Sequence, residues 1–374
     1  MNLYKNSIFV KNIYNLDANK FIPQNLDTTT LQKGVFTFKA PSNIALVKYW
    51  GKEANQIPKN PSISFTLDAC FTLTTLEFEK KDTNTFDFEV IFDGKKHNAF
   101  KPKIQTFFER IVNYVPFLKE YKFIIKTRNS FPHSSGIASS ASGMAALSLC
   151  LMQIEKTLNP TISTEFFNKK ASFLARLGSG SASRSIEGEV VVWGKHDAID
   201  SSSNILGIKF PYKIHQNFKN YHDTILLVDK GEKQVSSTVG HNLMNNHPFA
   251  ENRFKQANKN LDLMSQILQK GNLTEFIALV ESEALTLHAM MMTSNPYFIL
   301  MKPNTLQIIE KIWLFRKKTK ANICFTLDAG ANVHVLYPEN EKELIHNFII
   351  NNLIEHCQNN QYICDRIGLG SKLI

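Results

Sequence analysis

Apolar residues recur at nearly every second position in three early stretches, residues 35–39, 65–78 (FTLDACFTLTTLEF) and 86–92 (FDFEVIF). Successive side chains of a strand point to opposite faces, so this period predicts strands with one buried face. The spacing turns helical over 104–115, returns to alternation over 122–127 (KFIIKT), and gives way to a long small-residue helix at about 140–158. A further strand is predicted at 189–193. The second half opens on a short apolar run, 223–229 (DTILLVD), which reads as a buried strand, and continues into helical patterns at about 251–270 and 273–291. Pro296 and Pro303 break the pattern. Another helix is predicted at about 304–319, then strands at 323–327 and 333–337, a helix near 341–356 and a last short segment.

Strands and helices are mixed in both halves, which predicts an α+β protein of two domains. The apolar signal weakens through Ser201-Ser202-Ser203-Asn204 and the polar stretch 215–222, so the boundary is expected near 205–222. The expected units are a polar, Asn- and Thr-rich extension at 1–34 and domains at 35–215 and 216–374. Hydrophobic residues are 43% of the 374 and charged residues 20%, an ordinary globular composition. No apolar run reaches the roughly 18 residues of a membrane helix, and the first residues lack a signal-peptide core, so a soluble, cytoplasmic protein is expected. The five cysteines are widely spaced, with no CxxC pair, and read as reduced core thiols. The net charge of +10 suits nucleic acid, an anionic membrane or a small polyanion equally well.

Four segments carry candidate chemistry. In residues 40–52 (APSNIALVKYWGK), just after the first strand, Lys48 and Lys52 flank Tyr49 and Trp50. These could equally be a packed tryptophan and two solvated lysines. Residues 129–143 (NSFPHSSGIASSASG) lie between a strand and a helix, where open backbone N–H groups and the helix dipole favour an anion. The loop has neither the GxxxxGK[ST] nor the GxGxxG pattern, and its serines also suit a turn or a helix cap. In residues 175–185 (ARLGSGSASRS), Arg184 stands among residues too small to cover it, a setting for holding a carboxylate or phosphate. In residues 325–335 (FTLDAGANVHV), Asp328 ends a strand beside a small-residue turn, the place of a general base or of a plain turn aspartate.

Taken in this order, APSNIALVKYWGK, FPHSSGIASSASG, GSGSASRS and TLDAGANVHVLY, with KQVSSTVGH as a fifth, closely resemble the ATP-dependent diphosphomevalonate decarboxylases of the GHMP kinase superfamily. The resemblance runs from about Phe38 to Pro338. It implies an N-terminal domain like ribosomal protein S5 domain 2, a ferredoxin-like C-terminal α+β domain, and an active site in the cleft between them. It also implies a homodimer that binds neither nucleic acid nor membrane. The implied reaction phosphorylates the 3-hydroxyl of mevalonate 5-diphosphate from ATP with Mg²⁺ and then releases phosphate and CO2 to give isopentenyl diphosphate. Asp328 would take the hydroxyl proton, Lys48 would offset developing negative charge, and Arg184 would hold the substrate carboxylate. Tyr49 and Lys52 would contact the diphosphate, with Ser181, Ser183, Ser237 and Thr238 as further substrate contacts. Ser134, Ser135, Gly136, Ile137, Ala138, Ser139 and Ser140 would cradle ATP, with Ser139 next to the magnesium.

Sibling small-molecule kinases usually carry an aspartate in the segment matching GSGSASRS, where this chain has Arg184 and no acid. Decarboxylation is therefore expected over the alternatives, a mevalonate or phosphomevalonate kinase, a phosphomevalonate decarboxylase, or a basic nucleic-acid-binding module. The basic residues form no stripe interleaved with aromatics, which argues against the last. The chain departs from the family pattern at Ala331, where Pro is usual, and at His241, where Met is common.

Overall fold

The computed structural model describes residues 18–24, 26–133, 136–231 and 237–374, with Ser237 and Thr238 described by their backbone alone. The predicted calls on Ser134 and Ser135 lie outside the described residues, as do the side chains of Ser237 and Thr238. Two long antiparallel strands, β1 (Lys33–Val47) and β2 (Ser62–Lys80), form the spine of the first sheet. Beyond β2 come β5 (Tyr121–Asn129), β3 (Asp87–Phe92) and the short β4 (Lys95–Lys96), with β3 and β5 parallel. The first half of β2 instead pairs with β6 (Val190–Trp193), which carries β7 (Gly207–Lys209).

Helices α1 (Lys101–Ile111), α2 (Ser139–Leu158) and α3 (Thr164–Gly178) share one apolar core with this sheet, including Leu76, Phe108, Phe123, Leu151 and Phe173. Leu26 and Leu31, in the stretch read from composition as an extension, pack against the same core. Ala18 and Phe21 are buried in it, and Thr28 Oγ1 donates to Glu120 at 2.5 Å.

The second sheet is antiparallel throughout, in the order β11 (Tyr362–Arg366), β8 (His222–Leu226), β10 (Val333–Tyr337), β9 (Cys324–Thr326). Its helices are α4 (Ser237–Asn242), α5 (Ala250–Lys270), α6 (Leu273–Met292), α7 (Pro303–Thr319) and α8 (Lys342–Asn352). Local chemistry sets their ends. Asn272 caps α6 by accepting from Glu275 N–H at 3.2 Å, and α5 stops at Gly271, whose φ of +79° suits glycine. Apolar clusters join the halves: Ile44, Val47 and Phe65 of the first pack with Leu261, Met264 and Val280 of the second, and Trp50 packs with Met244 and Leu287.

The mixed α+β class holds, and most elements fall where alternation or helical spacing places them. Three differ. The first strand does not stop at Lys39 but runs on to Val47, so the Lys48 segment grows out of its end, with register shifts at Pro41/Asn43 and Ala45/Val47. Proline has no N–H for the ladder, and such irregularities re-aim a strand next to a site. Helix α3 has no predicted counterpart, and Lys170 and Arg176 within it are both buried. The last segment forms two strands, of which β12 (Lys372–Leu373) returns to pair with β1. Of the cysteines read as core thiols, Cys70, Cys150, Cys324 and Cys357 are buried and free, whereas Cys364 is free but exposed.

The returning tail is tightly seated. Gly368 N–H donates to Thr66 O at 2.8 Å, and Thr66 Oγ1 donates to Gly368 O at 2.8 Å. A Cβ added at Gly188 would lie 1.9 Å from the carbonyl carbon of Leu369. Gly188→Ala is therefore expected to cost about 1–3 kcal/mol through forced backbone displacement, read as a lower thermal midpoint. An unchanged midpoint would contradict the packed tail.

Candidate active site

The four chemistry-bearing segments converge on one cavity of about 540 Å³ between the two sheets. Lys48, at the end of β1, is almost fully buried, and its ammonium donates to Asp328 Oδ1 at 3.1 Å. Burial pushes the Lys48 pKa down from its ordinary value, while Asp328 and then Glu283 oppose that shift. The backbone of Lys48 is held just as firmly. Its N–H donates to Glu283 Oε2 at 2.7 Å, and its carbonyl accepts from Asn60 Nδ2 at 3.0 Å and Arg253 Nη2 at 3.1 Å. Glu283 in turn accepts from Arg253 through both oxygens, at 2.8 and 2.5 Å, and from Asn260 at 2.5 Å.

Asp328 sits two residues past β9 on the turn that leads into β10. Its carbonyl accepts from His288 Nε2 at 3.1 Å, so that ring carries a proton on Nε2. Burial, and beyond it the charge of Lys48, hold His288 at about 4.

Arg184 is not the loosely covered cation that its small neighbours suggested. It belongs to a 3-10 turn, Gly180–Arg184, is 3% exposed, and donates to Ser62 Oγ at 2.6 Å, Ser64 Oγ at 3.1 Å and Asn43 Oδ1 at 3.4 Å. Nε and Nη1 are thus engaged, and Nη2 makes no hydrogen bond with any described residue although Arg184 lines the cavity. Burial lowers its pKa to about 10, and it remains a cation at neutral pH.

The serine-rich loop ends in Ala138, whose positive φ of 48° places it at the N-terminal boundary of α2 with no side-chain cap. The 20-residue helix therefore presents its first N–H groups to the cavity, which Gly136, Ala138, Ser139 and Ser140 all line. Gly136 also approaches Gly330 of the Asp328 turn, with a Cβ built on Gly330 lying 3.8 Å from Gly136 Cα.

Tyr49, Lys52 and Ser181 line the same cavity. The Tyr49 hydroxyl is buried and makes no hydrogen bond with a described residue, its ring standing edge-on to Trp193 at 4.7 Å. Lys52 reaches Gln56 Oε1 at 3.0 Å, and partial burial, then Arg110, hold its pKa below the ordinary value. Two predicted contacts turn away from the cavity. Ile137 packs in the shared apolar cluster, and the buried Ser183 gives its hydroxyl to Gly180 O at 2.9 Å. Sequence reasoning missed Lys103 of α1, which lines the cavity and donates to Ser140 Oγ at 2.9 Å, and the Glu283–Arg253 pair behind Lys48. A lysine, an arginine and a glutamate on ordinary amphipathic helices carry no local signal of such a role.

Among the described residues that line the cavity, Lys48, Lys52, Lys103 and Arg184 face Asp328 as the one acid. That imbalance, with an uncapped helix N-terminus, suits a ligand carrying several negative charges. Two mixed domains enclosing such a cleft define a GHMP-type α+β enzyme acting on small polyanions. Residues 40–205 match the diphosphomevalonate decarboxylase-like N-terminal domain, and residues 224–368 match the mevalonate 5-diphosphate decarboxylase C-terminal domain. The chain belongs to the diphosphomevalonate decarboxylase family. It is 29% identical to the diphosphomevalonate decarboxylase of Ganoderma lucidum over 329 residues, 83% of this chain and 80% of that one. Mevalonate diphosphate decarboxylase from Staphylococcus aureus superposes with a TM-score of 0.78 at 27% identity, covering 91% of this chain and 98% of that one. A solved complex of MDDEF with MVAPP, AMPPCP and magnesium gives a TM-score of 0.77 at 29% identity, covering 91% and 99%.

The buried network has two measurable consequences. Glu283→Ala would leave Arg253 as an uncompensated buried charge, and a loss of about 3–5 kcal/mol in unfolding free energy is expected by urea titration. The second concerns acid. His288 is held at about 4 and His241 at about 3, against an ordinary 6.5. Below pH 6.5 the unfolded chain protonates both rings while the folded protein keeps them neutral, so protons favour unfolding. Stability is expected to fall from pH 6.5 towards 4, by up to about 1.4 kcal/mol per unit for each ring. His288→Gln should remove about half of that slope.

Proposed function

We propose that this chain catalyses the ATP-dependent decarboxylation of mevalonate 5-diphosphate to isopentenyl diphosphate, with phosphorylation of the tertiary 3-hydroxyl preceding the loss of CO2. The observation that carries the reading is the assembly of Asp328, Lys48 and Arg184 around one cation-lined cavity. Asp328 accepts the hydroxyl proton as that oxygen bonds to the γ-phosphorus and ADP departs. Lys48, fixed through its own backbone, offsets the charge that develops on the hydroxyl oxygen and the phosphoryl group. The free Nη2 of Arg184 engages the substrate carboxylate. The C–O bond to phosphate then breaks, and the electron pair of the bond to the carboxylate forms the new C=C as CO2 leaves.

Tyr49, Lys52 and Ser181 support the substrate diphosphate, with Ser237 and Thr238 as further contacts. The residues at the start of α2 fit the nucleotide. Its phosphates would meet the uncapped N–H groups, the Ser139 and Ser140 hydroxyls and Lys103. Among the described residues no group of three or more His, Cys, Asp or Glu side chains could hold a metal alone, a donor set that suits magnesium arriving on the nucleotide's phosphates with Ser139 beside it. The magnesium, when bound, screens the charge of the phosphates during transfer.

Among the described residues no helix is long and apolar enough to cross a membrane. Five free thiols, one of them exposed, suit the reducing cytoplasm. A homodimer, expected from the family resemblance, is read directly by sedimentation.

Incubation with ATP, Mg²⁺ and mevalonate 5-diphosphate is expected to release ADP and CO2 in equal amounts. ADP without CO2 would make the protein a kinase, and preferred turnover of the monophosphate would change the substrate. Asp328→Asn should lower kcat by about a hundred- to ten-thousandfold while nucleotide affinity stays within about twofold.

A further inference from the structure

His241 stands where two requirements meet that packing alone does not explain. It is 8% exposed, lies on α4 of the second domain, and lines the cavity beside Lys52 and Tyr49. Its ring is clamped between Tyr49 at 4.3 Å and Trp50 at 4.6 Å, tilted by 35° and 40° to them. Gly240 permits that approach, since a Cβ there would come within 2.6 Å of the Trp50 ring. The Gly51 N–H donates to His241 Nδ1 at 3.0 Å. A backbone N–H can only donate, so Nδ1 is an acceptor and the neutral ring carries its proton on Nε2. Burial and the nearby charges of Lys52 and Arg184 keep it neutral across the physiological range. Nε2 makes no hydrogen bond with any described residue. That N–H is left without a partner among the described residues, on a side chain that lines the cavity among cations that draw an anion in.

We infer that His241 is a ligand-binding residue, a neutral donor whose Nε2–H meets an oxygen of the substrate's diphosphate next to Lys52. This deepens the proposed reaction and rests on it. The bond adds affinity for the phosphate end of the substrate without adding a titrating charge.

Three variants separate this role from a structural one. His241→Asn keeps an acceptor within reach of Gly51 N–H but loses the distal donor. His241→Met loses both, and His241→Gln restores a distal donor. The inference predicts that Asn and Met both raise KM for mevalonate 5-diphosphate, and its Kd by calorimetry, by about ten- to a hundredfold. It predicts kcat within about threefold, KM for ATP unchanged, and Gln recovering most of the loss. Asn behaving as wild type while Met fails would assign His241 to supporting the Gly51 turn alone and overturn the inference, as would an unchanged KM in Met. A wild-type protein that does not turn over mevalonate 5-diphosphate, yet binds inorganic pyrophosphate in a way that Asn and Met weaken, would overturn the reaction and uphold His241 as a diphosphate donor.

Discussion

The carboxylate of Glu283 is the point on which this structure turns. It is fully buried on a helix of the second domain, and it accepts from the backbone of Lys48, which is the last step of a strand of the first. A carboxylate in that position must be neutralised and fully hydrogen-bonded, and Arg253 and Asn260 do both. Arg253 then reaches the Lys48 carbonyl, so one ion pair grips both the N–H and the C=O of a single residue. Replacing the pair with apolar side chains would fill the same space, but it would leave the Lys48 N–H and C=O without those partners. The ion pair therefore serves less to add stability than to fix where Lys48, and through it Asp328, stand relative to the N-terminus of α2.

Much of this was legible in the sequence, for reasons that particular residues make plain. Strands with one solvated face, such as β5, alternate visibly because water selects polar residues on that side. The extension of β1 through Ala40 to Val47 did not alternate, because both of its faces are buried and Ser42 and Asn43 there serve hydrogen bonds to Ile137 O and Ser185 Oγ. In helix α3, which had no predicted counterpart, Lys170 and Arg176 are satisfied internally by Glu155 and by Ile205 O. In the site, Arg184 and Asp328 stood out because small residues surround them in the chain, and Lys48 and Lys52 because they flank two aromatic residues just after a strand. Glu283, Arg253 and Lys103 could not stand out, since what makes them matter is a neighbour 37 to 235 positions away.

The net charge of +10 takes on a specific meaning in this light. Exposed lysines such as Lys126 and Lys169 pair with glutamates on their own strand or helix neighbours and contribute little to recognition. The cavity concentrates what matters. Its cations share one acid, and their field is strengthened by the apolar walls of the two domains. Burial first, and then the charges of Lys52 and Arg184, suppress protonation of His241 beside them, so that ring adds no charge of its own to the cavity.

The tail that returns to the first sheet alters how the two halves are joined. The chain passes from the first sheet to the second before β8 and back again between Arg366 and Gly368, where Thr66 holds it from both sides. Two covalent crossings pin the halves at separate points, as two pins hold a door. A single linker would let one half swivel freely about it. With two, and with the apolar cluster that both halves share, any swivelling of one half against the other would have to break the Thr66–Gly368 pair and open that cluster.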